Sequence, residues 1–494
     1  MNERRHTGRR VGLAVAIVLV GLAVVVGAAG TAAAETVDEC ENDLERSEPC
    51  LETAANDVTL EGDGTPDDPY RIHDVDELQA MNQNLSAHYT LANDIDASET
   101  DGWNSGDGFE PIGSGDDGVA IQIRGPEPSA EAFTGSFDGD GHTITGLTVD
   151  RPDEEFVGLF GAADGATIES VELEDTFVKG DEHVGAVAGK LSHGELRDVR
   201  STDGYVRAYE GTYGGGLVGT LEAGTVDSSH ADGEVRGSGV VIGGLVGEMT
   251  SVGFEGSVVR NSSAAADVDG GWRVGGAVGN LAGGSVVGTS AEGEVKGDED
   301  EFAKPAAGIG GLVGTVSDGT VTASYATGDV EGTADVGGLV GLLEYGQVTE
   351  TYATGTVSGE VAADSGHGGL VGTSNGDVSD SYWVVENSPE LTDDDGVGSG
   401  EGDGVTGLEY DELTGADATN SLDAFDFEAT WTVTDSYPVL AWQTGNALTP
   451  YTDADGTVGL DGLRAAIDDW RGGELDVTVL RDAIDAWRSS EPVS

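Results

Sequence analysis

Gly337-Gly338-Leu339-Val340-Gly341 is followed by Gln347-Val348 and then by Thr351-Tyr352-Ala353-Thr354-Gly355-Thr356-Val357-Ser358-Gly359. The same phrase stands upstream as Gly310-Gly311-Leu312-Val313-Gly314, Thr320-Val321 and Ser324-Tyr325-Ala326-Thr327-Gly328-Asp329-Val330-Glu331-Gly332. The closing glycine of the first phrase recurs at Gly161, Gly189, Gly219, Gly247, Gly279, Gly314, Gly341 and Gly372, so the period stays near thirty. Such a period marks stacked repeats, each too small to bury an apolar face alone. In the second phrase Ala, Val and Gly hold their columns through residues 231–237, 291–297, 326–332 and 353–359, while Asp, Glu, Arg, Lys, Thr or Ser vary between them. Column-fixed small and β-branched residues belong inside, where coils meet, and the variable polar ones outside. Glycines at fixed intervals are expected to make the corners. Helix is disfavoured, since each interior glycine would cost about 1 kcal/mol. The pattern predicts an all-β fold, a parallel β-solenoid.

The chain has 494 residues with 93 Asp and Glu against 22 Lys and Arg, a net charge of -71. In dilute salt that charge opposes compaction. At molar salt the Debye length is ~3 Å and the repulsion is screened. The acids are spread through the repeats, which indicates adaptation to high salt. An acidic surface built for calcium or for cationic partners is the alternative. Nucleic acid is excluded as a partner, because the sequence shows no basic patch to neutralise phosphates.

Arg4, Arg5, Arg9 and Arg10 precede an uncharged apolar run over residues 11–29, and Ala32-Ala33-Ala34 supplies a small-residue cleavage site. Residues 1–34 therefore read as a signal peptide that exports the rest; an uncleaved membrane anchor is the alternative, and the only membrane contact expected. Residues 35–57 read as a disordered linker. Its Cys40 and Cys50 could close a small loop in an oxidising exterior, or stay as two thiols.

Residues 58–150 read as a lead-in and first coils. Asp74 is placed to cap a short helix with Val75, Leu78 and Met81 on one side. Residues 133–144 read as a strand, a tight Asp-Gly turn and a strand. Asp138 and Asp140 in that turn suit backbone geometry better than calcium. Residues 151–385 are the repeats. Residues 386–445 read as an acidic loop over 393–403 and an aromatic cap for the open end of the solenoid.

The Gly-Gly-Leu-Val-Gly and Ser-Tyr-Ala-Thr-Gly phrases resemble the GLUG-motif repeats of exported bacterial and archaeal surface proteins. Residues 67–72, 93–96, 110–113 and 133–144 resemble the segment that commonly precedes such repeats, and Tyr437-Pro438-Val439-Leu440-Ala441-Trp442 resembles their close. The resemblance covers roughly residues 58–445. It implies a right-handed parallel β-helix and a cell-surface, often adhesive, role, and it carries no catalytic residues. Residues 184–189 and an insertion at 298–306 depart from the pattern.

Residues 446–494 change character. Leu463, Ala466, Ile467 and Trp470 have helical spacing, as do Leu480, Ile484 and Trp487, so a small two-helix module is expected. Its lead-in resembles a dockerin-like or EF-hand calcium loop, which implies Asp453, Asp455, Thr457 and Asp461 as ligands. Tyr451 stands where the first acid belongs, and Gly462 replaces the bidentate acid. Calcium needs six to eight oxygens, so a loop that has lost its ion is the alternative. Similar paired-helix tails close many exported proteins of salt-loving archaea.

Gly372-Thr373-Ser374-Asn375-Gly376 matches a nucleophile-elbow pattern and residues 214–219 match G-x-G-x-x-G, but both lie inside the repeat without strand-turn-helix context. The eight histidines show no zinc spacing. Asn84 and Asn261 begin glycosylation sequons. Lys190, Arg207, Arg236, Arg260, Arg273 and Lys296 read as outward counter-charges rather than elimination bases. The expected function is adhesion or binding of polysaccharide or cell-envelope components, without catalysis and without a required cofactor. A polysaccharide hydrolase or lyase and a passive envelope component are the alternatives.

Overall fold

The computed structural model describes residues 58–444 apart from 114–131, 210–212, 238–240, 298–306, 360–365 and positions 390, 393, 401 and 403, together with isolated positions between 459 and 484. It is a parallel β-solenoid of about eight turns.

One coil shows the plan. Tyr213–Gly215, Val218–Glu222, Thr225–Asp227 and His230–Gly237 are its strands, and each pairs parallel with its counterpart in the next coil. The first strand of each coil joins a seven-stranded sheet from Val184–Gly185 to His367–Gly368. Side chains alternate across each strand, so one residue in two is sent inward. Parallel register then stacks like on like. Val218, Val246, Val278, Val313, Val340 and Val371 make one buried column, and Val178, Val206, Val235, Val268, Val295, Val330 and Val357 another. Ala231, Ala264, Ala291, Ala326 and Ala353 form a third, where only a methyl fits.

One corner departs from expectation, while Gly165, Gly284, Gly319 and Gly346 turn another with positive φ as expected. The turn before the Ala column is made by Ser170, Asp198, Ser228, Asn261, Ala323, Glu350 and Asp380, all left-handed with φ from 47° to 54°. These are mostly short polar residues that tolerate that region; Gly288 is the exception in the column. The glycines of the first phrase serve close approach instead. A Cβ at Gly310 would lie 2.1 Å from the Val313 carbonyl oxygen, and one at Gly341 would lie 2.3 Å from the Ile309 nitrogen. Backbone from adjacent coils crosses there with no room for a methyl.

Beside each corner runs a buried hydroxyl ladder. Ser229, Ser262, Thr289, Ser324, Thr351 and Ser381 are all buried. Ser229 Oγ donates to the Asp227 carbonyl at 2.8 Å and accepts the Val199 N–H at 3.2 Å. Ser262 repeats this with Arg260 and Ser229, and Ser324 with Thr322 and Thr289. The hydroxyls satisfy backbone groups that the corner removes from the strand ladders.

The lead-in behaves as a first coil. Asp74 caps Val75–Gln79, its side chain accepting the Glu77 N–H at 2.9 Å. Residues 133–144 are not a hairpin. Ser136–Thr145 bends at a corner and both halves pair parallel with Thr167–Glu174. Asp138 Oδ1 accepts the Asp140 N–H at 2.9 Å, so the pair serves the bend. Residues 184–189, whose sequence departs from the motif, keep the coil register.

The C-terminal part differs from the expected loop and end-cap. Within 393–403, Val397–Gly400 adds a strand beside Val371–Ser374, and just after it Val405–Leu408 adds one beside Ser381–Val384. Residues 410–444 then run back along the flank as an apron. Trp431 packs on Tyr325 and Tyr352, Tyr325 Oη donates to Gln443 Oε1 at 2.9 Å, and Tyr352 Oη donates to the Pro438 carbonyl. Trp442 Nε1 donates to the Gly288 carbonyl at 3.0 Å, so the apron reaches several coils from the end.

Candidate functional site

With the core apolar, chemistry is left to the outward columns, and two of them carry it. The first runs along the second strand of each coil, Lys190, Thr220, Glu248, Asn280, Thr315, Leu342 and Thr373 in register, with Thr220, Asn280 and Thr315 buried and the other four half-buried. Phe156, His183 and Tyr213 stack along its edge, with ring centroids 4.7 and 5.0 Å apart. That stack shelters the early rungs. His183 Nδ1 lies 2.8 Å from Thr220 Oγ1. Burial, reinforced by the Lys190 ammonium and opposed by Glu222, pushes the His183 imidazole down to about 4. It is therefore neutral at ordinary pH.

Lys190 is ion-paired with Glu222, to which Ser192 Oγ also donates at 3.3 Å. Burial pushes the Glu222 carboxyl up, but the Lys190 contact outweighs it and leaves the group below its ordinary range. Glu248 shows the reverse balance. Burial holds its carboxyl above the ordinary range, although Asn280 Nδ2 donates to it at 3.0 Å and Tyr213 also bonds it. The site thus holds one stabilised carboxylate and one reluctant to ionise, in adjoining coils. Both are engaged by protein partners.

The second column faces out beside the valine column of the last strand: Asp150, Lys179, Arg207, Arg236, Asp269, Lys296 and Glu331. Lys179 pairs with Asp150 at 3.3 Å and lies 4.2 Å from the centre of the Phe177 ring, which itself stacks on Tyr205. The Arg207 guanidinium lies 4.7 Å from the centre of the Tyr209 ring. Arg236 pairs with Glu234, which holds it firmly in the charged form. Lys296 pairs with Glu294 at 2.8 Å.

The sequence candidates fall out as follows. Asp453, Asp455, Thr457 and Asp461 lie outside the described residues, as do Cys40, Cys50, the apolar N-terminal run and the insertion at 298–306. Of the tail, Leu463 and Ala466 are buried. Asn84 is exposed. Asn261 is a corner residue whose Nδ2 donates to the buried Asp227 at 3.3 Å, and Arg260 grips the same carboxylate at 2.7 Å. Ser374 is buried in a strand with its Oγ donating to the Gly376 carbonyl, no elbow at all. Lys190, Arg236, Arg260 and Lys296 are the outward ion-paired groups expected, and Arg273 lies over Trp272. Among the described residues no group of three or more His, Cys, Asp and Glu is arranged to hold a metal ion. Neither the sheltered His183–Glu248 edge nor the alignment of cations was foreseen. The available signal was Lys179, Arg207, Arg236 and Lys296 at one offset from the repeat valine.

Comparison with known proteins fits the repeat. The GLUG motif family matches residues 332–358. Halomucin of Haloquadratum walsbyi is 44% identical over 171 residues, 33% of this chain and 2% of halomucin. A Gly-rich membrane protein of Evansella cellulosilytica is 33% identical over 128 residues, 25% of this chain and 13% of that one. This chain thus spans a small fraction of these relatives' length. A Bacteroides ovatus crystal structure assigned as an immunoglobulin A1 protease aligns with a TM-score of 0.40 and 20% identity, covering 77% of this chain and 94% of that one. The chain carries GLUG-type repeats, and they build a parallel β-solenoid.

Proposed function

We propose that the protein is an exported, salt-adapted surface solenoid that binds polysaccharide or other envelope material along its outward columns and performs no chemistry on it. The observation that carries this is the division of labour in each coil: a closed apolar interior, and polar columns in register along the axis. Such a surface offers a repeating set of contacts to a linear polymer. The resemblance to exported surface proteins, and the name of the Evansella relative, support a location at the cell surface. A net charge of -71 supports a working medium of high salt. In the same view residues 446–494 act as an anchor or interaction module, with calcium at Asp453, Asp455, Thr457 and Asp461 as an optional ligand.

A second reading rests on Glu222 and Glu248. Two carboxyls whose surroundings drive their ionisation apart are the starting arrangement for a glycoside hydrolase. The Lys190, Asn280 and Tyr213 contacts weigh against it, because they occupy both groups. The test is co-sedimentation of the full chain with insoluble polysaccharides in molar salt, with reducing ends assayed in the same tubes. Binding without release of ends is expected. Release of ends that Glu248→Gln abolishes would replace the binding reading by the hydrolase.

A further inference from the structure

We propose that Lys179, Arg207 and Arg236 form a binding stripe for an acidic polysaccharide, a linear glycan bearing carboxylate or sulfate groups, laid along the solenoid axis. This rests on the binding reading above and names the ligand class and the residues.

The first argument is composition against position. The chain has 22 Lys and Arg beside 93 Asp and Glu, yet three cations occupy three consecutive rungs of one column. Like charges directly opposite each other across paired strands are destabilising. A fold that only needed counter-charges would scatter them among its acids, as Lys190 and Arg260 are placed.

The second argument is how the cations are held. Lys179 lies over Phe177 and Arg207 over Tyr209. Among the described residues Arg207 makes no ion pair with any acid, although acids are the commonest charged groups on the chain. An aromatic face fixes a cation's position without cancelling its charge, which a carboxylate would do. Arg207 is thus positioned and left available. Lys179 and Arg236 each keep one carboxylate partner, Asp150 and Glu234. Asp150 is the rung before Lys179 and ends the stripe there, and Glu234 lies two residues before Arg236 on its own strand, so an incoming anion shares these two cations with them.

The third argument is spacing. Rungs repeat every ~4.8 Å, close to the length of one pyranose residue in an extended chain. Acidic groups on successive sugars would therefore meet successive cations. A planar guanidinium takes a carboxylate or sulfate through two parallel hydrogen bonds, which survive where long-range attraction is screened. Duplex nucleic acid suits the stripe less well, because three rungs are short for a duplex and its phosphates do not follow a straight line of ~4.8 Å steps.

Screening gives the proposal an unusual signature. At 0.1 M salt the Debye length is ~10 Å, so a polyanion feels the whole negative surface; at 1 M it is ~3 Å and only the contact pairs remain. Binding is expected to strengthen as salt rises over the range in which circular dichroism shows the chain folded.

The experiment is binding of the full chain in molar salt to fluorescently labelled heparin, polygalacturonate, neutral dextran and duplex DNA. Heparin and polygalacturonate should bind, and dextran and DNA should not. Arg207→Gln should weaken both acidic glycans roughly tenfold. Arg207→Lys should retain part of the affinity. Lys296→Gln, in the same column but beyond Asp269, should leave it unchanged. Thermal unfolding in the same buffer checks that each variant is folded. Glycan binding that ignores Arg207→Gln would overturn the stripe and leave the binding reading intact. Equal capture of dextran would overturn the acidic class, and equal capture of DNA would overturn the polysaccharide. Failure of the unaltered chain to bind any glycan would remove the stripe and the reading beneath it together.

Discussion

The two halves of the solenoid share an interior and differ outside. In the first, over residues 156–297, the two columns carry Lys190, Glu248, Lys179, Arg207 and Arg236, with His183 and Glu222 beside them. In the second, over 307–408, the same columns carry Thr315, Leu342, Thr373, Glu331 and Ser358. A third column makes the contrast plainest. It reads Arg200, His230, Ser263 and Ser290 early, and Tyr325, Tyr352 and Tyr382 late. The late tyrosines lie under the apron of residues 410–444. A coil is indifferent to what it turns outward, so outward residues report what covers them. In this third column Arg200, His230 and Ser263 meet solvent or a ligand, and Tyr325, Tyr352 and Tyr382 meet the protein's own C-terminal segment.

Removing the apron's anchor should have the largest effect. Trp431 is 1% exposed, stacks on Phe425 at 4.6 Å and packs against Tyr325 and Tyr352. Trp431→Ala should cost roughly 3–5 kcal/mol, by analogy with other large-to-small core changes. Limited proteolysis should then cut within 410–444 while the coils stay protected. Protection of that segment at the wild-type level would mean the apron is held from elsewhere.

The sheltered edge of the first half should respond to acid. His183 titrates near 4 in the fold against about 6.5 in the unfolded chain, so between those values the unfolded state binds more protons. Its contribution is intact above pH 6.5 and is lost as pH falls toward 4, amounting to roughly 2–3 kcal/mol. Denaturant midpoints of the chain and of His183→Phe, compared at pH 7 and pH 4.5 in molar salt, isolate it. The variant should lose less stability on acidification. Parallel losses would show that the imidazole is solvated rather than sheltered.

Much of this fold was legible because its determinants are local and repeated. Val340, Ala353 and Gly341 say what they do by recurring where only they fit. The hydroxyl ladder was not legible, although Ser324 and Thr351 recur just as faithfully. A Ser or Thr reads as polar and is assigned to the surface, unless its backbone partners are known. The apron was hidden for a different reason. Tyr325 and Gln443 are 118 residues apart, and no period links them. Of the site, the cations were visible singly, and their alignment lay in one shared offset, the position after the valine of the last strand in each coil.

The ladder can be tested at Ser262, whose Oγ accepts the buried Ser229 N–H at 3.1 Å and donates to the Arg260 carbonyl at 2.7 Å. Ser262→Ala leaves that N–H without a partner and should cost roughly 1–3 kcal/mol. Hydrogen exchange should speed up at Ser229 in particular. A cost under about 0.5 kcal/mol, the level of an ordinary surface change, would mean that the corner relaxes without the hydroxyl.

The smallest effect sharpens the contrast most, because it turns on one rung. Ser290 lies at the apron's edge, buried, with Gln443 Nε2 donating to its Oγ at 2.9 Å. Ser263 is the next rung out, and its hydroxyl lies 2.7 Å from His230 Nδ1. Ser290→Tyr would extend the tyrosine stack into space Gln443 occupies, and overpacking of that kind costs roughly 1–3 kcal/mol. Ser263→Tyr adds the same ring on a half-buried rung beyond Gln443, and should change stability by less than about 0.5 kcal/mol. The paired unfolding measurements separate two explanations of the column. Unequal costs mean that the apron selects the outward residue, as the late tyrosines imply. Equal costs mean that the coil itself restricts ring size at this position, and that the early column is polar for reasons of packing rather than exposure.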